Sequence, residues 1–164
     1  MIMQQKTIRL FSVLLFLFGL SFAAGCQPDP HQEAGPGESS HITGDVRETT
    51  APHELPSFLR DYPAEVAQTY QEVSKHHDLL AKIPCYCGCG QSVGHRNNLD
   101  CFIHQQSNDQ ITWDSHATTC GVCLEIAKES IQMKKSGTSD QKIRESIDQK
   151  YGNGFAEPTP TPAL

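Results

Sequence analysis

Pro84-Cys85-Tyr86-Cys87-Gly88-Cys89-Gly90 puts a cysteine at every second position of a turn-forming stretch, and the rest of the fold has to be arranged around it. Downstream come Gly94-His95, Cys101-Phe102-Ile103-His104 and His116-Ala117-Thr118-Thr119-Cys120-Gly121-Val122-Cys123. Six of the seven cysteines and three of the eight histidines thus fall between positions 85 and 123. Glycine and polar residues dominate from Pro84 to Thr118. Apolar burial alone cannot hold so long a loop, so cross-links or a metal are required. Part of it reads as a short hairpin, with Phe102 and Ile103 before the turn residues Ser107-Asn108-Asp109 and Ile111 and Trp113 after them. Trp113, the largest apolar group available, is the expected core anchor of this loop.

Helical periodicity flanks the loop on both sides. After Asp61, Pro63 suits a first helical turn, and Glu65 suits the positive end of the helix dipole. Val66, Tyr70, Val73, His77 and Leu80 then share one face, and Pro84 closes the segment. Beyond the loop, Cys120, Cys123, Ala127 and Ile131 lie along one face of a helix predicted over 119–136, with Gly137 as its stop. Thr138 and Gln141 fit a capping box opening a last helix, in which Ile143, Ile147 and Tyr151 share a face and Gly152 ends the run.

The chain ends carry different signals. Lys6 and Arg9 precede an apolar run from Leu10 to Ala24, the n-region and h-region of a signal peptide, too short for a permanent membrane span. Ala23-Ala24-Gly25-Cys26 resembles the bacterial lipobox, with alanine at 23 where leucine is usual. That resemblance implies removal of residues 1–25 and a diacylglycerol, together with the palmitate that accompanies such anchors, on Cys26. Residues 26–54, rich in Pro, Gly, Ser, Glu and Thr, read as a disordered tether, and 156–164 as a proline-stiffened disordered tail. One folded domain is left, about residues 55–155. Without its leader the chain loses two of thirteen basic residues and none of nineteen acidic ones, which brings its formal charge to −8. No basic stripe with interleaved aromatics is present, which excludes a nucleic-acid partner.

Three chemistries compete for the cysteines. Export to an oxidising compartment and an even number of thiols favour a disulfide-stapled structural protein. Cysteines two apart are poor partners for each other, so Cys85, Cys87 and Cys89 would each have to reach Cys101, Cys120 or Cys123, and the histidines would have no role. A metal site uses all of them: thiolates suit zinc or cuprous ion, and Cys120 and Cys123 in a first helical turn are favoured as thiolates. His116, four residues before Cys120, can add an imidazole. The third chemistry is a redox couple at Cys120 and Cys123, for which no strand-helix-strand context is visible. Paired carboxylates, a serine elbow and a phosphate-cradling loop are all missing, so hydrolysis and phosphoryl transfer have no apparatus.

Pro84 to Cys89, with the lipobox, the downstream histidines and the Cys-x-x-Cys pair, resembles the bacterial PCYCGC-motif lipoproteins, which implies an anchored cysteine-rich domain and little about activity. The order of Gly90-Gln91-Ser92, a helix, Gly137-Thr138-Ser139-Asp140 and Tyr151-Gly152 is similar to the thiol subunit of the cytochrome c maturation machinery. That likeness implies a three-helix fold and an apocytochrome or thiol-disulfide role.

The sequence reading is therefore a mainly helical domain of about three helices with a cysteine-rich insertion, lipid-anchored through Cys26 on the extracytoplasmic face of the cell membrane. It binds zinc or copper through Cys85, Cys87, Cys89, Cys120, Cys123 and His116, with Cys101, His95 and His104 as further ligands. Capture or hand-over of metal breaks no bond in a substrate, so no enzyme is expected, and no protein partner is identified.

Overall fold

Helix start and stop signals at the C-terminal end of the chain produce the most regular part of the molecule. The computed structural model describes residues 39–41 and 44–164. The expected signal peptide, Cys26 and the first part of the tether lie outside the described residues.

Helix α1 (Ala64–Lys75) follows Pro63 and buries Val66, Thr69, Tyr70 and Val73. It ends earlier than its apolar spacing predicts. His76 leaves the helical conformation, its Nδ1 lying 2.9 Å from the Glu72 carbonyl, and a one-turn helix α2 (His77–Leu80) starts in a new phase. That phase change turns His77 outward and buries both Leu79 and Leu80, so His77 is not on the apolar face. Another single turn, α3 (Cys89–Ser92), begins after Gly88, whose φ of 87° lies in the left-handed region open to glycine.

Helix α4 (Gly121–Lys135) buries Cys123, Ile126, Ala127, Ser130 and Ile131, and Cys120 is its N-cap instead of a first-turn residue. It stops at Gly137, where the Thr138 amide reaches the Met133 carbonyl and the Gly137 amide that of Lys134, a Schellman pair. Helix α5 (Asp140–Tyr151) is capped by the Ser139 hydroxyl accepting from the Lys142 amide, so the cap lies one residue beyond Thr138. Ile143, Ile147 and Tyr151 are buried. Helix α4 packs against both α1 and α5. Among the described residues no helix is long and apolar enough to cross a membrane.

A small antiparallel sheet completes this mainly helical fold. Strands β1 (Ser39–His41), β2 (Asp45–Thr50), β3 (Ile103–Gln106) and β4 (Ile111–Asp114) run in the order β1-β2-β4-β3. The β3–β4 hairpin is the expected one, with a register shift between Ile103 and Gln105. Trp113 is buried and touches the Tyr70 ring of α1 at 5.9 Å, and Phe102 meets the same ring edge-on at 5.0 Å. The Tyr70 hydroxyl donates to the Asp114 carbonyl at 2.8 Å, tying helix to hairpin.

Both flanks of the expected domain need correction. Residues 45–50, placed by composition in a tether, form the strand against β4, with Arg47 opposite Asp114 and Thr50 opposite Ile111. The pairing is polar: Arg47 Nε lies 3.1 Å from the Asp114 carboxylate, Thr49 and Thr112 share a 2.9 Å hydrogen bond, and Trp113 Nε1 donates to Thr50 Oγ1. Nor is 156–164 a detached tail. The Ala156 amide donates to the Tyr86 carbonyl and the Thr159 amide to that of Cys85. The Cys85 amide donates in turn to Thr159 Oγ1 at 2.9 Å. Thr159 is 4% exposed. Backbone hydrogen bonds and a buried hydroxyl dock this segment, and neither leaves a hydropathy pattern.

Candidate metal centre

Three elements deliver the thiols. The turn at Gly88 brings Cys85, Cys87 and Cys89 to one side, a single 3-10 turn (Leu99–Cys101) brings Cys101, and the start of α4 brings Cys120 and Cys123. The Asn98 amide donates to the Ile83 carbonyl at 2.8 Å and its side-chain nitrogen to the Cys123 carbonyl at 3.1 Å. This residue thereby pins the loop to the helix.

These six cysteines are free thiols. Cys123 Sγ lies 3.2 Å from Cys101 Sγ, 3.3 Å from Cys85 Sγ and 3.5 Å from Cys87 Sγ. Cys85 and Cys87 are 3.4 Å apart, Cys89 and Cys101 3.8 Å. A disulfide needs about 2.05 Å. Four thiolates around one ion at about 2.3 Å would be separated by roughly 3.8 Å, the Cys89–Cys101 spacing, and the four-thiol contacts at 3.2–3.5 Å are tighter than that but far from bonded.

The donors fall into three overlapping groups: Cys85, Cys87, Cys101 and Cys123; Cys87, His116, Cys120 and Cys123; and Cys89, His95 and Cys101. Within each group the ligand atoms lie within 4.8 Å of one another. All six sequence-predicted ligands are brought together, along with Cys101 and His95. Cys101, which sequence reasoning placed second to the other thiols, is fully buried at the centre. His104 sits on the exposed side of β3 and belongs to none of the three groups. Its spacing from Cys101 suggested a ligand, but it lines a surface cavity beside His95 and joins none of the donor groups.

The electrostatics of the cluster are those of thiols sharing protons. Hydrogen bonds from Cys101 and Cys123 hold the Cys85 thiol down at about 4, and those from Cys101, Cys120 and Cys123 lower Cys87 further. Burial pushes Cys101 up. His116 is raised to about 9, first by its hydrogen bond with Cys87 and further by Asp45. Its Nδ1 is 2.8 Å from the Asp45 carboxylate, leaving Nε2 for the sulfurs, the orientation that a carboxylate imposes on a metal-ligating imidazole. His95 is shifted the other way, mainly by burial and then by the His116 charge, and is thus held as a neutral imidazole. Its Nδ1 is buried with no hydrogen-bond partner.

These residues fit a thiophilic ion. Soft sulfur donors dominate, two imidazoles complete the set, and His95, whose Nδ1 has no hydrogen-bond partner, belongs to the group containing Cys89 and Cys101. Sequence reasoning missed Asp45, Asn98 and Thr159. Asp45 sits in a polar strand with nothing to mark it. Asn98, fully buried between two loops, was visible only as one of two adjacent asparagines.

No curated protein and no solved structure matches the chain, and the likeness to the thiol subunit of cytochrome c maturation is unsupported. A family model described as a protein of unknown function with PCYCGC motif matches residues 14–164, nearly the whole sequence, and the chain belongs to that family.

Proposed function

We propose that this protein binds a soft transition metal, zinc or copper, through its Cys/His cluster, and captures or hands over that metal at the outer face of a membrane. One observation carries the reading: six free thiols and two imidazoles converge in a largely buried space with ligand atoms at coordination spacing. Burying so many ionisable groups is costly unless a cation compensates them. Disulfides would relieve the same cost, but among the described residues no sulfur pair is at bonding distance. The lipid anchor at Cys26 belongs to the same proposal and is supported by the charged, apolar and small-residue order of residues 6–26.

The test is elemental analysis with a thiol count on protein purified without reductant or chelator. Stoichiometric zinc or copper is expected, with thiols that react only after acid releases the metal. Absence of metal together with absence of titratable thiol would replace this reading with a disulfide scaffold. For the anchor, Cys26→Ser is expected to move the protein from the membrane fraction to the soluble one. Retention in the membrane would reject lipidation at that residue.

A further inference from the structure

Resting on that reading, we propose that the centre is polynuclear: three thiophilic d10 ions joined by shared thiolates, with Cys87 and Cys123 bridging the first and second and Cys101 bridging the first and third. The overlap of the three donor groups carries this. Cys87 and Cys123 belong to both four-membered groups, and Cys101 belongs to one of these and to the group with Cys89 and His95. Eight side chains therefore cover eleven coordination positions. Sulfur makes that possible, because a thiolate keeps lone pairs after its first metal bond, whereas an imidazole nitrogen has only one. Both histidines occupy unshared positions, as this requires.

A single ion leaves the centre unsatisfied. It takes four donors at most, so with an ion at either four-membered group four of the eight side chains, two or three thiols with one or two imidazoles, would stay without metal. His95 adds to this: it is 6% exposed, its Nδ1 has no partner, its ring packs edge-on against that of His116 at 4.8 Å, and its only donor group is the one with Cys89 and Cys101. An ion at either four-membered group does not engage it. A surface cavity of about 250 Å³, lined by Arg47, Gly94, His95, Arg96, Asp100 and His104, reaches the His95 side of this third group.

The experiment is anaerobic titration of the full chain with cuprous ion and, separately, with zinc, followed by native mass spectrometry. X-ray absorption on the loaded protein is the second readout. Three ions per chain are expected for the metal that the centre takes, with a metal–metal scattering shell. His95→Ala and Cys89→Ser should each stop at two, with the shell retained. Saturation at one or two ions, or loading without that shell, would overturn the shared cluster and leave soft-metal binding standing. No binding of either ion would overturn the function itself. Because stoichiometry and scattering are read on the native sequence, a variant that fails to fold does not decide the outcome.

Discussion

The helical side of the molecule and its cysteine-rich side are stabilised by different means. Helices α4 and α5 bury Ile126, Ile131, Ile143, Ile147 and Tyr151, with a Schellman stop and a serine cap between them. Each of these residues contributes whether or not an ion is present. From Cys85 to Cys123 the buried groups mix thiols and the polar His95, Asn97, Asn98, Asp114 and Ser115 with apolar Tyr86, Phe102, Ile103, Ile111, Trp113 and Ala117. A buried thiol cluster releases little free energy on its own and much more once a cation binds it. One half is thus held by apolar packing, and on the proposed reading the other gains further stability when a metal binds its thiols.

Removing the metal is the strongest way to test this difference. Structural zinc contributes on the order of 10 kcal/mol in small domains, so chelation should lower the melting temperature more than any single substitution. Amide exchange should accelerate across 85–123 while α4 beyond its first turn and α5 remain protected. Equal loss of protection on both sides would show one cooperative unit and end the distinction. Cys123→Ser, at the centre of two donor groups, should reproduce the chelated state.

The opposite perturbation targets the helices. Ile147 is 1% exposed, and Ile147→Ala should cost about 2–5 kcal/mol, measured by denaturant unfolding of the metal-loaded protein. Metal stoichiometry at saturation should not change. A fall in bound metal would mean that α5 also positions the cluster. Between these two perturbations lies Asp45→Ala, which leaves His116 Nδ1 without its 2.8 Å partner. Loss of such an orienting carboxylate typically weakens metal affinity about 10- to 100-fold, and by linkage the loaded protein should lose about 1.4–2.7 kcal/mol at fixed free metal. A competition titration with a chromophoric chelator reads it. Unchanged affinity would remove β2 from the site.

How far each half was legible in the sequence follows the same division. Apolar spacing and stop residues located α1, α4, α5 and the hairpin, because periodic burial writes itself into residue order. Where a polar interaction intervened, the reading slipped. His76 broke α1 through its contact with the Glu72 carbonyl, and the cap moved from Thr138 to Ser139. The cluster's cysteines were legible by density alone. The segments that hold it, Asp45–Thr50 and the residues around Thr159, were read as disordered because they are fixed by strand pairing and side-chain hydrogen bonds across more than sixty residues. Composition measures how much apolar surface a segment can bury, and these segments bury almost none of their own.

The smallest expected effect isolates the helical side from the cluster. Glu72 on α1 accepts from Lys75 at 2.9 Å and pairs with Lys135 at the end of α4, and these cations, Lys135 first, hold its carboxyl at about 2 instead of 4.5. A carboxylate with a depressed folded-state pKa contributes stability above its unfolded value and loses it as protons bind. The contribution is thus complete above about pH 4.5 and fades as pH falls toward 2. Both lysines are more than half exposed, so it should stay below about 1 kcal/mol and shrink with salt. Acid also strips metal from thiolates, so the informative quantity is the stability difference between the native sequence and Glu72→Gln at each pH. That difference should be constant above pH 5 and vanish near pH 2. Were it flat across the whole range, the link between α1 and α4 would rest on apolar packing alone.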